Sequence, residues 1–327
     1  MFSFNNLVKS IDNFFFEVRP TEGIAIFRIV WMTMLFAYFL FDLGNIEEFY
    51  GPQALLSLKT VKEQFPSFHL NIFHLFDSSY TFIYGLVIVY GLALIFSILG
   101  FYTKQSLIIA FICMVSFHQR NIWLLSSSEV LMRIITLLLI FSPCGHSLSM
   151  DALLGRFYLQ RSQNGEWSVW CLRLIQIQIC VVYLWTVWHK LKGETWFNGN
   201  AVYYATRLEH MTNFPLPYLL DSLLFLKIAT WGTLALETAL GTLVWFKEFR
   251  KPVIVTGILF HLGIEYVMSI PFFEISMIVL LLNFFTPEEH RAFALRLSDH
   301  LKKIIENSPV MRRSQEKVIN ILKNGVV

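Results

Sequence analysis

Apolar runs of roughly membrane-spanning length, separated by short polar steps, organise this chain. A helix needs about 20 mostly apolar residues to cross a bilayer, and the runs place spans at about 24–43, 81–100, 105–117, 129–143, 169–188 and 222–246. The run 253–285 is too long for one ordinary span and holds Pro271 near its middle. It therefore splits into two short helices joined near Ser269, Ile270 and Pro271. The pattern predicts an all-α, polytopic integral membrane helical bundle of about eight transmembrane helices, with amphipathic helices at the termini. Residues 1–22, with Phe14, Phe15 and Phe16 ahead of Arg19 and Pro20, read as an interfacial N-terminal segment, and residues 23–287 as the transmembrane domain. Residues 288–327 carry Phe293, Leu297, Leu301, Ile304 and Ile305 at helical spacing, with Arg296, Lys302 and Lys303 elsewhere. That is the pattern of a basic amphipathic tail lying on an anionic leaflet. The aromatic-rich segment between 44 and 80 is expected to lie against the bilayer or to cap a cavity.

Composition agrees with a lipid bilayer as the surroundings. Hydrophobic residues make up 55% of the chain and charged residues 15%, against roughly 25% charged in soluble domains. The net charge of +3 is small and comes partly from the tail, so nucleic acid is not indicated. Cys113, Cys144, Cys171 and Cys180 form no C-x-x-C pair, so neither a disulfide framework nor a zinc cluster is expected. The first apolar run begins late, near Ile24, and lacks a small-residue cleavage site, which argues against a cleavable signal peptide. Lys and Arg outside the spans are more numerous on the side of the two termini. The positive-inside rule then puts both termini in the cytoplasm and opens the steps 118–121 and 183–204 to the opposite side.

Within the spans sit Arg28, Arg133, Arg173, Lys227, Glu237, Glu265 and Glu274. Each is costly in hydrocarbon unless paired or facing a wet cavity, so each either ties the bundle together or serves a site. His261 and Glu265 are four apart and share a helix face. They can form a structural pair, a proton relay or an element of a polar cavity; two ligands without a partner motif do not hold a metal. Arg173 and Gln176 share a face of the helix that leads up to Lys190, and Glu129 and Arg133 suggest an internal tie.

The stretch 183–204 ends an apolar run in Trp185, Trp188, His189, Lys190, Lys192 and Trp196. Such an end is where indole rings and a snorkelling lysine meet the headgroups. The same residues can instead build a reactive site, because an amine kept among apolar walls is neutral part of the time and acts as a base.

The order of motifs is familiar. The step His118-Gln119-Arg120-Asn121 is followed by F-S-P-C-G-H-S-L-S-M-D at 141–151, then by L-I-Q-I-Q and Y-L-W-T-V-W-H-K-L-K-G-E-T-W-F-N-G, and by F-H-L-G-I-E-Y-V-M-S-I-P-F-F. Over about residues 20–290 this resembles the HTTM family, the transmembrane module shared with vitamin K-dependent gamma-carboxylase. The segment from Tyr183 to Gly199 resembles the carboxylase's K-K-L-x-x-x-W-x-x-G pattern, in which a lysine deprotonates reduced vitamin K. That lysine corresponds to Lys190, with His189 in place of the preceding lysine, and Arg120 stands where the carboxylases have a histidine. The carboxylases also carry a large extramembrane domain that engages the peptide substrate, whereas about 40 residues follow the last span here. A complete glutamate carboxylase is therefore not expected.

What the resemblance implies is a carboxylase-like redox or modification enzyme of a bacterial inner membrane, using a reduced, vitamin K-like quinone and having a peptide or protein as a possible substrate. Lys190 would be the base, flanked by His189, and Arg120 would stabilise a developing anion. Arg173, Gln176, Trp188, Trp196, His261 and Glu265 would line the cavity. The competing expectation is a non-enzymatic maturation or interaction protein for a secreted peptide, in which the same polar residues are structural.

Overall fold

Helices form over the apolar runs and stop at the polar steps between them. The computed structural model describes residues 4–64, 71–76, 79–155, 166–208, 211–212, 221–270, 272–286, 288–289 and 292. Helix α1 (Phe4–Phe16) precedes α2 (Glu22–Asp42), and α3 (Ile46–Tyr50) and α4 (Leu58–Gln64) follow on the segment after it. Then come α5 (Tyr80–Leu99), α6 (Thr103–Arg120), α7 (Ser127–Phe141), α8 (Met150–Leu153) and α9 (Trp170–Lys190). The short α10 (Glu194–Phe197) and α11 (Ala201–Ala205) lead to α12 (Leu223–Thr242), α13 (Lys247–Val267) and α14 (Phe273–Leu281). One feature departs from the all-α expectation: β1 (Val18–Pro20) pairs antiparallel with β2 (Glu166–Ser168). The protein is otherwise a helical membrane protein.

Helices thus occupy each of the eight expected span positions. Of the described helices, four are long and apolar enough to cross a membrane: those running from Glu22, Tyr80, Trp170 and Leu223. The others differ for physical reasons. Helix α7 has 15 residues and α14 has nine, α13 opens on Lys247, Glu248, Arg250 and Lys251, and the 18-residue α6 carries Lys104 near its start and His118 and Arg120 in its last turn. The break between α13 and α14 falls where the sequence placed it, although Pro271 itself lies outside the described residues. By packing, the chain divides into a unit Met1–Phe284 and a unit Phe285–Val327. The expected tail helix falls in the second unit, almost wholly outside the described residues.

Polar side chains inside the first unit act as ties between distant backbone segments. Arg28 is fully buried and donates to the carbonyls of Cys144 (2.6 Å), Leu148 (2.6 Å) and Ile98 (3.5 Å). Gly100 caps α5 at φ +67°, and a Cβ there would lie 2.8 Å from Nη1 of Arg28. Glycine is required twice over at that position, for the left-handed backbone and for the close approach. Asp151 accepts from the backbone N–H of Tyr102 (2.9 Å) and Thr103 (2.7 Å), satisfying donors at the start of α6. Glu129 forms a capping box with Ser126 and also accepts from the Tyr38 hydroxyl at 3.1 Å. Arg133 donates to His118 Nδ1 at 3.1 Å.

Candidate active site

Close backbone contact sets the geometry of the second half of the bundle. A Cβ on Gly241 would lie 2.7 Å from Leu184, and one on Gly257 would lie 2.8 Å from Leu240. These two glycines let α9, α12 and α13 approach closely at one end, as small residues do where membrane helices pack. Helix α14 begins behind Phe272, a non-glycine residue at φ +60°. That strained backbone is held by ring contacts with Tyr38 (5.1 Å) and Phe41 (5.8 Å). It places the first turn of α14, with Glu274, beside α13.

Toward the other end these helices separate around a hollow of about 820 Å³, which α10 and α11 help to line. Its walls are mainly apolar, with a few convergent polar groups. Lys190, at the end of α9, reaches back into the bundle, forms an ion pair with Glu237 of α12, and lies 4.8 Å from the centroid of the Trp196 ring. The pair is largely buried, with the lysine side chain 22% exposed and the glutamate 9%. Thr186 Oγ1 donates to the second Glu237 oxygen at 3.4 Å. In another part of the wall the Tyr183 hydroxyl meets His261 Nε2 at 2.8 Å, and His261 Nδ1 is bonded to Glu274. With the carboxylate accepting from Nδ1–H, Nε2 is left to accept from the tyrosine O–H. Tyr183, His261 and Glu274 are all buried.

The structure gathers some of the expected site residues and disperses others. Lys190, Trp196 and His261 line the hollow together. Trp188 is 57% exposed under the ammonium of Lys192, and the exposed His189 packs on Trp185 at 4.7 Å, so neither Trp188 nor His189 lines the hollow. Arg173 and Gln176 sit near the other end of α9. Arg173 donates to Phe14 O, Gln176 Oε1 and Glu17 Oε2, and Gln176 to Asn283 O. Arg120 is fully buried and holds the segment after α3 by donating to the carbonyls of Gly51 (3.0 Å) and Leu56 (2.8 Å). Glu265 lies half-buried on α13, and the partner His261 takes is Glu274, across the helix break. Helical spacing finds a partner one turn away, but both carboxylates that complete this site come from other helices. The signal available in sequence for Glu237 and Glu274 was their charge inside an apolar run.

The profile of the HTTM domain family matches residues 18–288, and the chain belongs to that family. No solved structure matches the chain.

Proposed function

Starting from membership of the HTTM family, we propose that this protein is a carboxylase-like membrane modification enzyme that binds a quinol-type ring in the hollow and uses Lys190, paired with Glu237, as its base. The observation that carries this reading is the position of the Lys190–Glu237 pair: inside the bundle, on the wall of a largely apolar hollow. The fit is good on two counts. A volume of about 820 Å³ lies within the roughly 300–1,000 Å³ range of small-molecule sites. A ring bearing two oxygens also matches a wall that offers one amine–carboxylate pair and one oriented tyrosine hydroxyl. When bound, a reduced quinone would supply two electrons.

The residues of the chain handle the protons. Within the pair, the ammonium proton can pass to the Glu237 carboxylate, leaving a neutral amine at Nζ. That amine takes up a proton, and the pair ends as an ammonium beside a neutral carboxyl. The base is thus the pair rather than the lysine alone. The Tyr183 oxygen, whose proton goes to His261 Nε2, is placed to accept a hydrogen bond from a ligand O–H. We read Arg120 as holding the segment near Gly51 and Leu56. In this reading both termini face the cytoplasm of a bacterial cell, the hollow lies toward the non-cytoplasmic side, and a peptide or protein is the molecule modified.

The test is turnover: purified protein in nanodiscs, given a reduced naphthoquinone in air, is expected to oxidise it faster than empty nanodiscs do. Equal rates would count against the reading. One observation favours a second reading, in which the protein is a non-enzymatic partner in the maturation of a secreted peptide. Lys190 and His261 each have an internal carboxylate partner, as purely structural pairs would. A peptide co-purifying with protein that turns over no quinol would support it.

A further inference from the structure

Three buried side chains from three helices form one hydrogen-bonded line that ends on the hollow. The hydroxyl of Tyr183 on α9 meets Nε2 of His261 on α13 at 2.8 Å, and Nδ1 of His261 is bonded to Glu274 on α14. The three are 2%, 4% and 2% exposed, and all belong to the wall of the hollow. Two features set this line apart from a structural tie. Glu274 has no lysine or arginine beside it among the described residues; its partner is the imidazole. The Tyr183 hydroxyl gives its proton to His261 and has no other hydrogen-bond partner among the described residues. Its lone pairs are therefore left for whatever occupies the hollow.

The line also stands close to the Lys190–Glu237 pair. Thr186, which donates to Glu237, follows Tyr183 by three residues on α9, an offset of about 4.5 Å along the helix axis. The residues that anchor the two ends are thus about one six-membered ring apart, and a ring with oxygens on opposite edges can face both.

We propose that Tyr183, His261 and Glu274 form a second base, a proton relay that draws the proton of a ligand O–H into the protein and stores it on Glu274. The Tyr183 oxygen takes that proton and gives its own to His261 Nε2, and His261 passes the Nδ1 proton to the Glu274 carboxylate. One O–H bond breaks on the ligand and one forms on Glu274. Tyrosine ends as it began, the imidazole changes tautomer without becoming charged, and no electron moves. The negative charge of Glu274 is handed to the ligand oxygen, so no new charge is created in an apolar wall, where creating one is costly. Tyr183 touches the ligand, and His261 and Glu274 act through it. That the natural donor is a quinol rests on the reading above; the relay itself requires only a ligand O–H.

The experiment has two arms, both on the protein in nanodiscs. In the first, 4-nitrophenol is titrated into Glu237→Gln, which removes the carboxylate at the Lys190 end, at a pH where the free probe is neutral. Absorbance then reads whether the bound probe is ionised. The nitrophenolate band is expected to grow with binding, and to be lost when Glu274→Gln or Tyr183→Phe is added. In the second arm, oxidation of a reduced naphthoquinone is followed in the single variants. Glu274→Gln and Tyr183→Phe are each expected to lose at least about tenfold in rate, and the double variant to stay within about twofold of the slower single, because members of one relay fail as a unit. Glutamine still accepts from Nδ1–H and keeps the line in place, so a role confined to structure would move neither readout. A probe that stays neutral in Glu237→Gln, a band that persists with Glu274→Gln, or losses that multiply in the double variant would overturn the relay and leave the quinol reading standing. Nitrophenol ionised through Glu274 by a protein that oxidises no quinol would remove the quinol reading and support the relay.

Discussion

Lys190→Arg is expected to give a protein that folds and binds ligand but oxidises quinol at about one hundredth of the wild-type rate or less, the usual scale for loss of a positioned general base. Arginine keeps the positive charge and can keep the ion pair with Glu237, so a role confined to structure would survive the change. It cannot supply a neutral amine, because the guanidinium does not give up its proton under these conditions. Lys190→Ala is expected to lose activity at least as far, while also leaving the largely buried Glu237 without its partner. Glu237→Gln should fall in the same range as Lys190→Arg, since the ammonium proton then has no carboxylate to move to. Initial rates of quinol oxidation, with ligand affinity measured on the same preparations, separate the alternatives. A Lys190→Arg variant retaining more than half the wild-type rate would make the pair a structural tie.

The second large effect is on stability. Arg28→Met is expected to destabilise the protein by about 3 kcal/mol or more, because a fully buried guanidinium serving three backbone carbonyls is lost and those carbonyls are left without a donor. Methionine fills much of the volume, so the loss is in hydrogen bonding rather than in packing. Arg28→Lys should recover only part of it, since a single ammonium does not reproduce the planar fork that reaches carbonyls on separate segments. Thermal unfolding in detergent, followed by size-exclusion chromatography after heating, gives the comparison. An Arg28→Met variant that melts with the wild-type protein would show that Arg28 does not hold the segment around Cys144 and Leu148.

These two residues also show how far sequence alone reaches. Helix positions were legible because apolar runs alternate with polar steps, and four of the described helices reach the roughly 20 apolar residues that a bilayer crossing needs. The break between α13 and α14 was legible for the same reason, and so was the cost of charges such as Arg28 and Glu237 inside the runs. The partners of those charges were not. Arg28 donates to a carbonyl 116 residues away, and backbone acceptors leave no mark in the residue types that carry them. Lys190 takes its carboxylate from α12, and His261 takes its own from beyond the helix break, where spacing within one helix had pointed to Glu265. Arg120, to which the resemblance gives an anion-stabilising role, donates to the carbonyls of Gly51 and Leu56, acceptors that the sequence did not mark. Local periodicity thus locates elements and flags expensive residues. Only the packing of distant elements decides which of those residues meet.

The most direct test of a lipid-derived ring held against the Lys190–Glu237 pair is native mass spectrometry of the protein extracted from quinone-containing membranes in mild detergent. One adduct per chain with the mass of a prenylated quinone, released intact on collisional activation, is the expected result. Protein carrying only phospholipid, or no adduct at all, would contradict it.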